Sequence, residues 1–165
     1  MKKRYYLLII AAILIAVCIW RFRPHSFTWV LDADLEQISD IYANAVVCTI
    51  REGNLQMDTY TADFSRGDEE LSELIRILSS AGYTNDFRNM FLSSPDAAES
   101  RGGDKTVCLT VRWDSGTDTP RTLVFSKGLI LVTPADGLRG RLCHPNSSSV
   151  LDMLTEYIQK TGKKQ

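Results

Sequence analysis

One segment leaves this chain few options: Tyr5 to Trp20, YYLLIIAAILIAVCIW, sixteen residues without a charge. It has no polar face, so it reads poorly as a helix packed on a soluble core. As a helix it would be about 24 Å long, a little under a hydrocarbon core of about 30 Å. Lys2, Lys3 and Arg4 precede it, and Arg21 and Arg23 follow it. Tyr5 and Tyr6 at one end, Trp20 and Phe22 at the other, stand where interfacial aromatics stand. Arg21 and Arg23 can snorkel outward and lengthen the usable span. The pattern predicts a retained single-pass transmembrane anchor over residues 1–23. A cleaved signal peptide wants small residues after the apolar run, and Ala16-Val17-Cys18 meets that rule only formally, inside the run. Lipidation of Cys18 would want a small residue before it, which Val17 is not. The positive-inside rule, by a narrow margin, puts the N-terminus in the cytoplasm and the rest of the chain outside the cell membrane.

Charge divides the chain at the same place. The first 23 residues hold five bases and no acid; the other 14 Lys and Arg face all 20 Asp and Glu, a net of −6 for residues 24–165. An acidic folded part excludes a nucleic-acid binder, which needs a surplus of Lys and Arg against phosphates. With 44% hydrophobic and 24% charged residues, collagen-like, coiled-coil and wholly disordered chains are excluded too.

Residues 24–165 read as one α+β domain. Phe27 to Leu31 is a short β-type run, the stretch 35–44 is ambiguous between helix and strand, and 46–51 reads as a strand. Glu52-Gly53-Asn54 turns the chain into a hairpin partner over Leu55 to Ala62. The clearest helix is Asp68 to Ser80. Asp68 is its expected N-cap, Leu71, Leu74, Ile75 and Leu78 its apolar stripe, and Gly82 its left-handed terminator. Tyr83 and the Phe87–Leu92 group suggest an extended segment. Residues 93–104, small and polar with a Pro and a Gly pair, predict a mobile loop. Strands follow at Lys105–Trp113, Arg121–Ser126, Leu129–Thr133 and Leu138–Cys143. A last helix is capped by Ser147, Ser148 or Ser149, has the stripe Val150, Leu151, Leu154, Tyr157 and Ile158, and ends at Gly162. This order predicts an antiparallel sheet with two main helices packed on one face.

Few residues carry chemistry. Cys48 and Cys108 lie within apolar strands, where small buried residues are the plain reading, and no C-x-x-C spacing occurs. An oxidising exterior would allow a disulfide between two of Cys48, Cys108 and Cys143, the pairing undetermined. His144 adjoins Cys143, but neighbours on a strand point to opposite faces, so the two make a poor nucleophile–base pair. Asp32-Ala33-Asp34 resembles the start of a calcium loop, yet Gln37 replaces the required Gly and Ala43 the required Glu. Arg139-Gly140-Arg141 reads as a solvated face, and the serines of Asn146-Ser147-Ser148 as caps. The residues predict no catalytic, cofactor or metal site. Of the aromatic set Trp29, Tyr60, Phe64, Phe87, Phe91, Trp113 and Phe125, most belong in the core, and some could line a groove under the 93–104 loop.

The run Phe27–Leu31 after the anchor, the helix EELSELIRIL followed by Tyr83, the hairpin LTVRWDSGTDTPRTLVFS and the closing helix together resemble small extracytoplasmic domains of uncharacterised single-pass and lipoprotein-type proteins from Gram-positive, Clostridia-like bacteria. That resemblance implies a cell-envelope address and supplies no catalytic residues to carry over. The expected function is a membrane-anchored binding, sensing or accessory domain without catalysis, its partner an envelope protein or peptide. The alternatives are an envelope hydrolase or thiol enzyme using His144 or Cys143, and a structural spacer at the membrane.

Overall fold

The computed structural model describes residues 2–51, 53–90, 104–114, 119–134 and 140–165. The expected loop 93–104, apart from Asp104, lies outside them, as does Phe91. Four α-helices, α1 (Lys2–Arg21), α2 (Phe27–Leu31), α3 (Glu69–Ser79) and α4 (Ser149–Thr161), accompany eight strands. These are β1 (Ile38–Arg51), β2 (Asn54–Ser65), β3 (Tyr83–Asn85), β4 (Lys105–Trp113), β5 (Arg121–Ser126), β6 (Leu129–Pro134), β7 (Arg141–Pro145) and β8 (Lys163–Lys164). They form one antiparallel sheet in the order β3-β7-β6-β5-β4-β1-β2-β8. The α+β class and the antiparallel sheet are as the sequence led us to expect.

The core lies between one face of the sheet and helices α2, α3 and α4. Strand alternation builds it. Val107, Leu109, Val111 and Trp113 of β4 are buried inward, while Cys108, Thr110 and Arg112 between them face out. Register carries each row across the sheet, so that Ala43, Leu109, Leu123 and Val132 stand side by side. From above, α3 contributes Leu71, Leu74, Ile77 and Leu78, and α4 contributes Val150, Leu154 and Ile158. Burial of each such side chain contributes roughly 2 kcal/mol relative to exposure. A smaller cluster, Leu129, Leu131 and Leu142 with Val124, lies on the outer face.

Several expectations need correction. Phe27–Leu31 is a helix, because Phe27, Val30 and Leu31 bury at helical spacing and Asp32 ends the turn in the left-handed region at φ 52°. The ambiguous stretch resolves into a 3-10 turn at Leu35–Gln37 and the first half of a 14-residue strand. Phe87–Met90 forms a further 3-10 turn. Asp68 stands at the N-cap of α3, but its carboxylate accepts from the Ser65 amide at 3.2 Å and closes the preceding turn instead. Ile77 takes the buried place expected of Ile75, which is only partly covered. Of the three serines expected to cap α4, Ser148 stands at the N-cap without a side-chain cap bond, while Ser147 Oγ before it accepts from the Ser149 amide at 3.3 Å. Gly82 lies outside the left-handed region. Its lack of a side chain serves close packing: a Cβ there would stand 3.0 Å from the Asn146 amide nitrogen and 3.2 Å from the Pro24 ring.

α1 is a 20-residue helix. Its described side chains are all exposed, from Tyr5 at 65% and Ile9 at 55% to Ile19 at 67%. Among the described residues no helix is long and apolar enough to cross a membrane. The sixteen uncharged positions fall about 6 Å short of a typical hydrocarbon thickness.

Candidate functional site

The root of α1 is built into the edge of the sheet. Beyond Arg21 the Phe22 amide still donates to the Cys18 carbonyl at 3.0 Å, and no free linker follows. His25 forms a two-bond antiparallel bridge with Tyr83, amide to carbonyl at 2.8 and 2.9 Å. Pro24 rests against Gly82, whose amide donates to Asn146 Oδ1 at 2.9 Å. Asn85 Nδ2 reaches the Arg21 carbonyl at 3.5 Å. The His25 ring stacks on Trp29 at 4.0 Å, and the Arg141 guanidinium covers Trp29 at 4.1 Å. Arg141 also donates to the carbonyls of Trp29 and Val30 at 2.8 and 2.6 Å, filling acceptors that the short α2 leaves open at its C-terminus. Arg141 is therefore a packing residue rather than part of a solvated face; Arg139 lies outside the described residues. Partial burial and the nearby Arg23 and Arg141 hold the His25 imidazole below its ordinary pKa.

Of the expected anchor residues, Tyr5, Tyr6, Trp20, Arg21 and Arg23 are exposed and Phe22 is half-buried. The Arg23 guanidinium lies 5.8 Å from the Trp20 ring.

Next to this root sits a polar hub that the sequence did not announce. Asp86 is buried, and its carboxylate accepts from the Arg88 amide at 2.6 Å, from Arg88 Nε and Nη2 at 3.1 and 2.9 Å, and from His144 Nε2 at 2.6 Å. Burial alone would raise its pKa. The Arg88 and His144 bonds and the Arg88 charge outweigh that and bring it down to about 2. The other imidazole nitrogen, His144 Nδ1, bonds the Gly128 carbonyl at 3.0 Å. Both ring nitrogens are thereby engaged by acceptors of the fold. His144 is thus a cross-brace between the β5–β6 turn and the segment after β3. Asn89 reinforces it by clasping the Leu142 backbone, Nδ2 to carbonyl at 2.6 Å and amide to Oδ1 at 2.9 Å.

The Cys143 thiol points into the core, on the opposite face from His144, and burial pushes it up to about 11. The two do not form a dyad. Cys48, Cys108 and Cys143 are free thiols. Asn44, not Cys48, faces Cys108 across β1 and β4. Cys48 therefore lies four residues further along, about 13 Å, beyond the reach of a disulfide. Asp32 and Asp34 cap α2 and the following 3-10 turn, Asp34 Oδ1 accepting from the Glu36 amide at 3.1 Å. Among the described residues no group of three or more His, Cys, Asp or Glu could hold a metal ion.

Two surfaces stand away from the root. A cleft of about 740 Å³ lies where β2, α3 and α4 meet, lined by Asp63, Asp68 and Glu70 against Lys160 and Lys163. Tyr157 beside it donates to the Glu70 carbonyl at 2.9 Å and stacks on Phe64 at 5.8 Å. The second is the β1–β2 ribbon. Among the described residues, pairing of β1 with β4 runs to Val47–Lys105 and a last bond from the Cys48 amide to the Asp104 carbonyl at 2.6 Å, whereas β1–β2 pairing runs on to Arg51–Asn54. This overhang carries Ile50, Leu55 and Met57 at 77%, 67% and 62% exposure. Cross-strand pairs Ile50–Leu55 and Cys48–Met57 place them on one face. Of the aromatic set, Phe64, Trp113 and Phe125 are buried, Trp29 and Tyr60 pack partly against the core, and Phe87 is 60% exposed.

Comparison with protein-family models, curated proteins and solved structures finds no match for this chain.

Proposed function

We propose that the chain is a single-pass membrane protein whose α1 anchors a non-catalytic extracytoplasmic binding domain, residues 24–165. The observation that carries this reading is the exposure of an apolar helix on all sides, Leu8 to Trp20, with no core packed against it. In water such a surface far exceeds the apolar patch of an ordinary monomer; in hydrocarbon it is covered. The uncharged run is short for a span, and the Lys and Arg at its two ends, with their long stems, make up the difference. The resemblance to envelope domains of Gram-positive bacteria points to the same address.

Binding is favoured over a spacer role by the apolar ribbon tip of Ile50, Leu55 and Met57, which a pure spacer does not need. It suits an envelope protein or peptide as partner. Binding is favoured over catalysis by the commitments of the reactive groups. Both His144 nitrogens hold structural acceptors, and Cys143 is sealed in the core. A general base needs a nitrogen free to meet the substrate.

The test is alkaline carbonate extraction joined to maleimide labelling of Cys48, which is half-exposed on the ribbon. The chain should stay in the membrane pellet, and an impermeant maleimide should reach Cys48 in intact cells. Release into the supernatant would remove the anchor. Labelling only after lysis would put the domain on the other side.

A further inference from the structure

We infer that the β1–β2 ribbon docks a second copy of this chain, β2 pairing antiparallel with the partner's β2 about a two-fold axis at Gln56. This rests on the reading of the ribbon as a binding surface and names its partner. The direction of the backbone groups is the starting point. The Thr59 carbonyl accepts from the Gln165 amide at 2.9 Å, so it points away from β1. Backbone groups alternate in direction along an antiparallel strand, so those of Met57 and Leu55 point the same way as those of Thr59. β8 pairs with β2 at Tyr60 and Thr61, and among the described residues Met57 and Leu55 make no backbone bond on that side. Leu55, Gln56 and Met57 are all exposed.

A second β2 answers this edge residue for residue. With Gln56 opposite the partner's Gln56, Leu55 faces the partner's Met57 and Met57 faces the partner's Leu55. Each pair exchanges N–H to C=O bonds in both directions, so every outward group of Leu55 and Met57 is used. Sliding the partner by two residues sets Leu55 or Met57 against its own copy. The other then faces the turn at Gly53 or Thr59, whose carbonyl Gln165 already holds. The two-fold register also sets Asn54 opposite the partner's Asp58, so each copy fills the stretch that the other's β8 leaves uncovered. Side chains agree with the backbone. Leu55 and Met57 share a face with Ile50 and Cys48 across the ribbon. Pairing extends that face into a row of Ile50, Leu55, the partner's Met57 and the partner's Cys48, with its symmetric row alongside, and the exposed apolar groups cover one another. No like charges meet, because Asn54 to Met57 are neutral and Asp58 is held by Lys164 at 2.7 Å. Edges kept single carry Lys, Pro or a bulge. Asn54 to Met57 contain neither Lys nor Pro, and the β1–β2 register runs unbroken to Arg51.

The test oxidises the full chain in a non-ionic detergent with copper phenanthroline, in a Cys18→Ser and Cys48→Ser background that carries Gln56→Cys or Ile50→Cys. At the axis the two Cα atoms would stand about 4.5 Å apart, within reach of a disulfide. From position 50 the copies would be separated by three strand spacings, at least about 14 Å, and out of reach. A species of twice the chain mass should form at 56 and not at 50. Met57→Pro, which removes an outward N–H and no bond to β1, should abolish that species and keep the thermal melt of the fold. Linkage at both positions would overturn the register, and linkage that survives Met57→Pro would overturn the strand pairing. Linkage at neither would overturn the second copy as partner. The ribbon as a surface for a different envelope protein would then stand, and carbonate extraction reads the anchor separately.

Discussion

Acid should loosen the corner that Asp86 holds, by an amount the structure sets. The carboxyl goes from about 3.8 in the unfolded chain to about 2 in the fold, through Arg88 and His144 acting against its burial. A depressed carboxylate gives stability that is fully present above its unfolded pKa and is lost as pH falls through the folded one. At 1.36 kcal/mol per pKa unit the Asp86 contribution is about 2 kcal/mol, nearly all of it gone by about pH 2. Other carboxylates titrate over the same range, so the measurement is a difference. Urea unfolding of the full chain in a non-ionic detergent, followed by Trp fluorescence, would be run on wild type and Asp86→Asn at about pH 6 and about pH 2. Wild type should lead by about 2 kcal/mol more at the higher pH than at the lower. A gap that stays the same at both pH values would refute the assignment of an ionised, brace-forming carboxylate to this position.

Three other outcomes are expected. Gly162→Ala should destabilise by about 1–3 kcal/mol in thermal melts, since a Cβ there would stand 2.6 Å from the Ile158 carbonyl and 2.7 Å from the Thr61 carbonyl; an unchanged melt would show that the end of α4 can move away. Arg141→Ala should cost about 2 kcal/mol, and Arg141→Lys should restore little of it, because the ammonium cannot stack on Trp29 while filling two carbonyls. Timed thiol titration of the native chain should label Cys48 first, Cys108 slowly and Cys143 only on unfolding, in keeping with burial that raises the Cys108 and Cys143 thiols.

What could be read from the sequence follows from how local each determinant is. α3 and the β4–β5–β6 meander were legible because an apolar period repeats over nine or more residues, or because a turn such as Lys127-Gly128 lies between alternating runs. α2 was misread for the converse reason. Five residues, Phe27 to Leu31, are too few for a period of 2 to be told from one of 3.6. What favours the helix is distant in sequence: the core that buries Phe27, Val30 and Leu31, with Arg141, more than a hundred positions away, filling the open carbonyls. The Asp86 hub was invisible for the same cause. It joins residues 58 positions apart and takes a backbone oxygen, Gly128, that leaves no mark on side-chain chemistry. The one available signal was an Asp two residues before an Arg, just after the Tyr-Thr-Asn segment, a pattern too common to single out. The apolar tip of the ribbon was readable only as an unexceptional hairpin, since the early end of β4 pairing, which exposes it, is a tertiary fact.

An open sheet has two flanks, and each is a row of backbone groups that can recruit a strand from another molecule. In this chain the flanks are unequal. His25 covers β3 at Tyr83, and the 3-10 turn of Phe87–Met90 follows immediately. On the other flank, β8 and the Gln165 amide cover β2 from Thr61 to Thr59 and, among the described residues, no further toward Asn54. Among the described residues, the edge of β2 from Asn54 to Asp58, beside Leu55 and Met57, has no partner strand on that side. Strand addition is thereby directed to the ribbon end of the sheet and away from the flank beside the root of α1. The ribbon thus offers a partner strand both free backbone and the apolar side chains Leu55 and Met57 in one place.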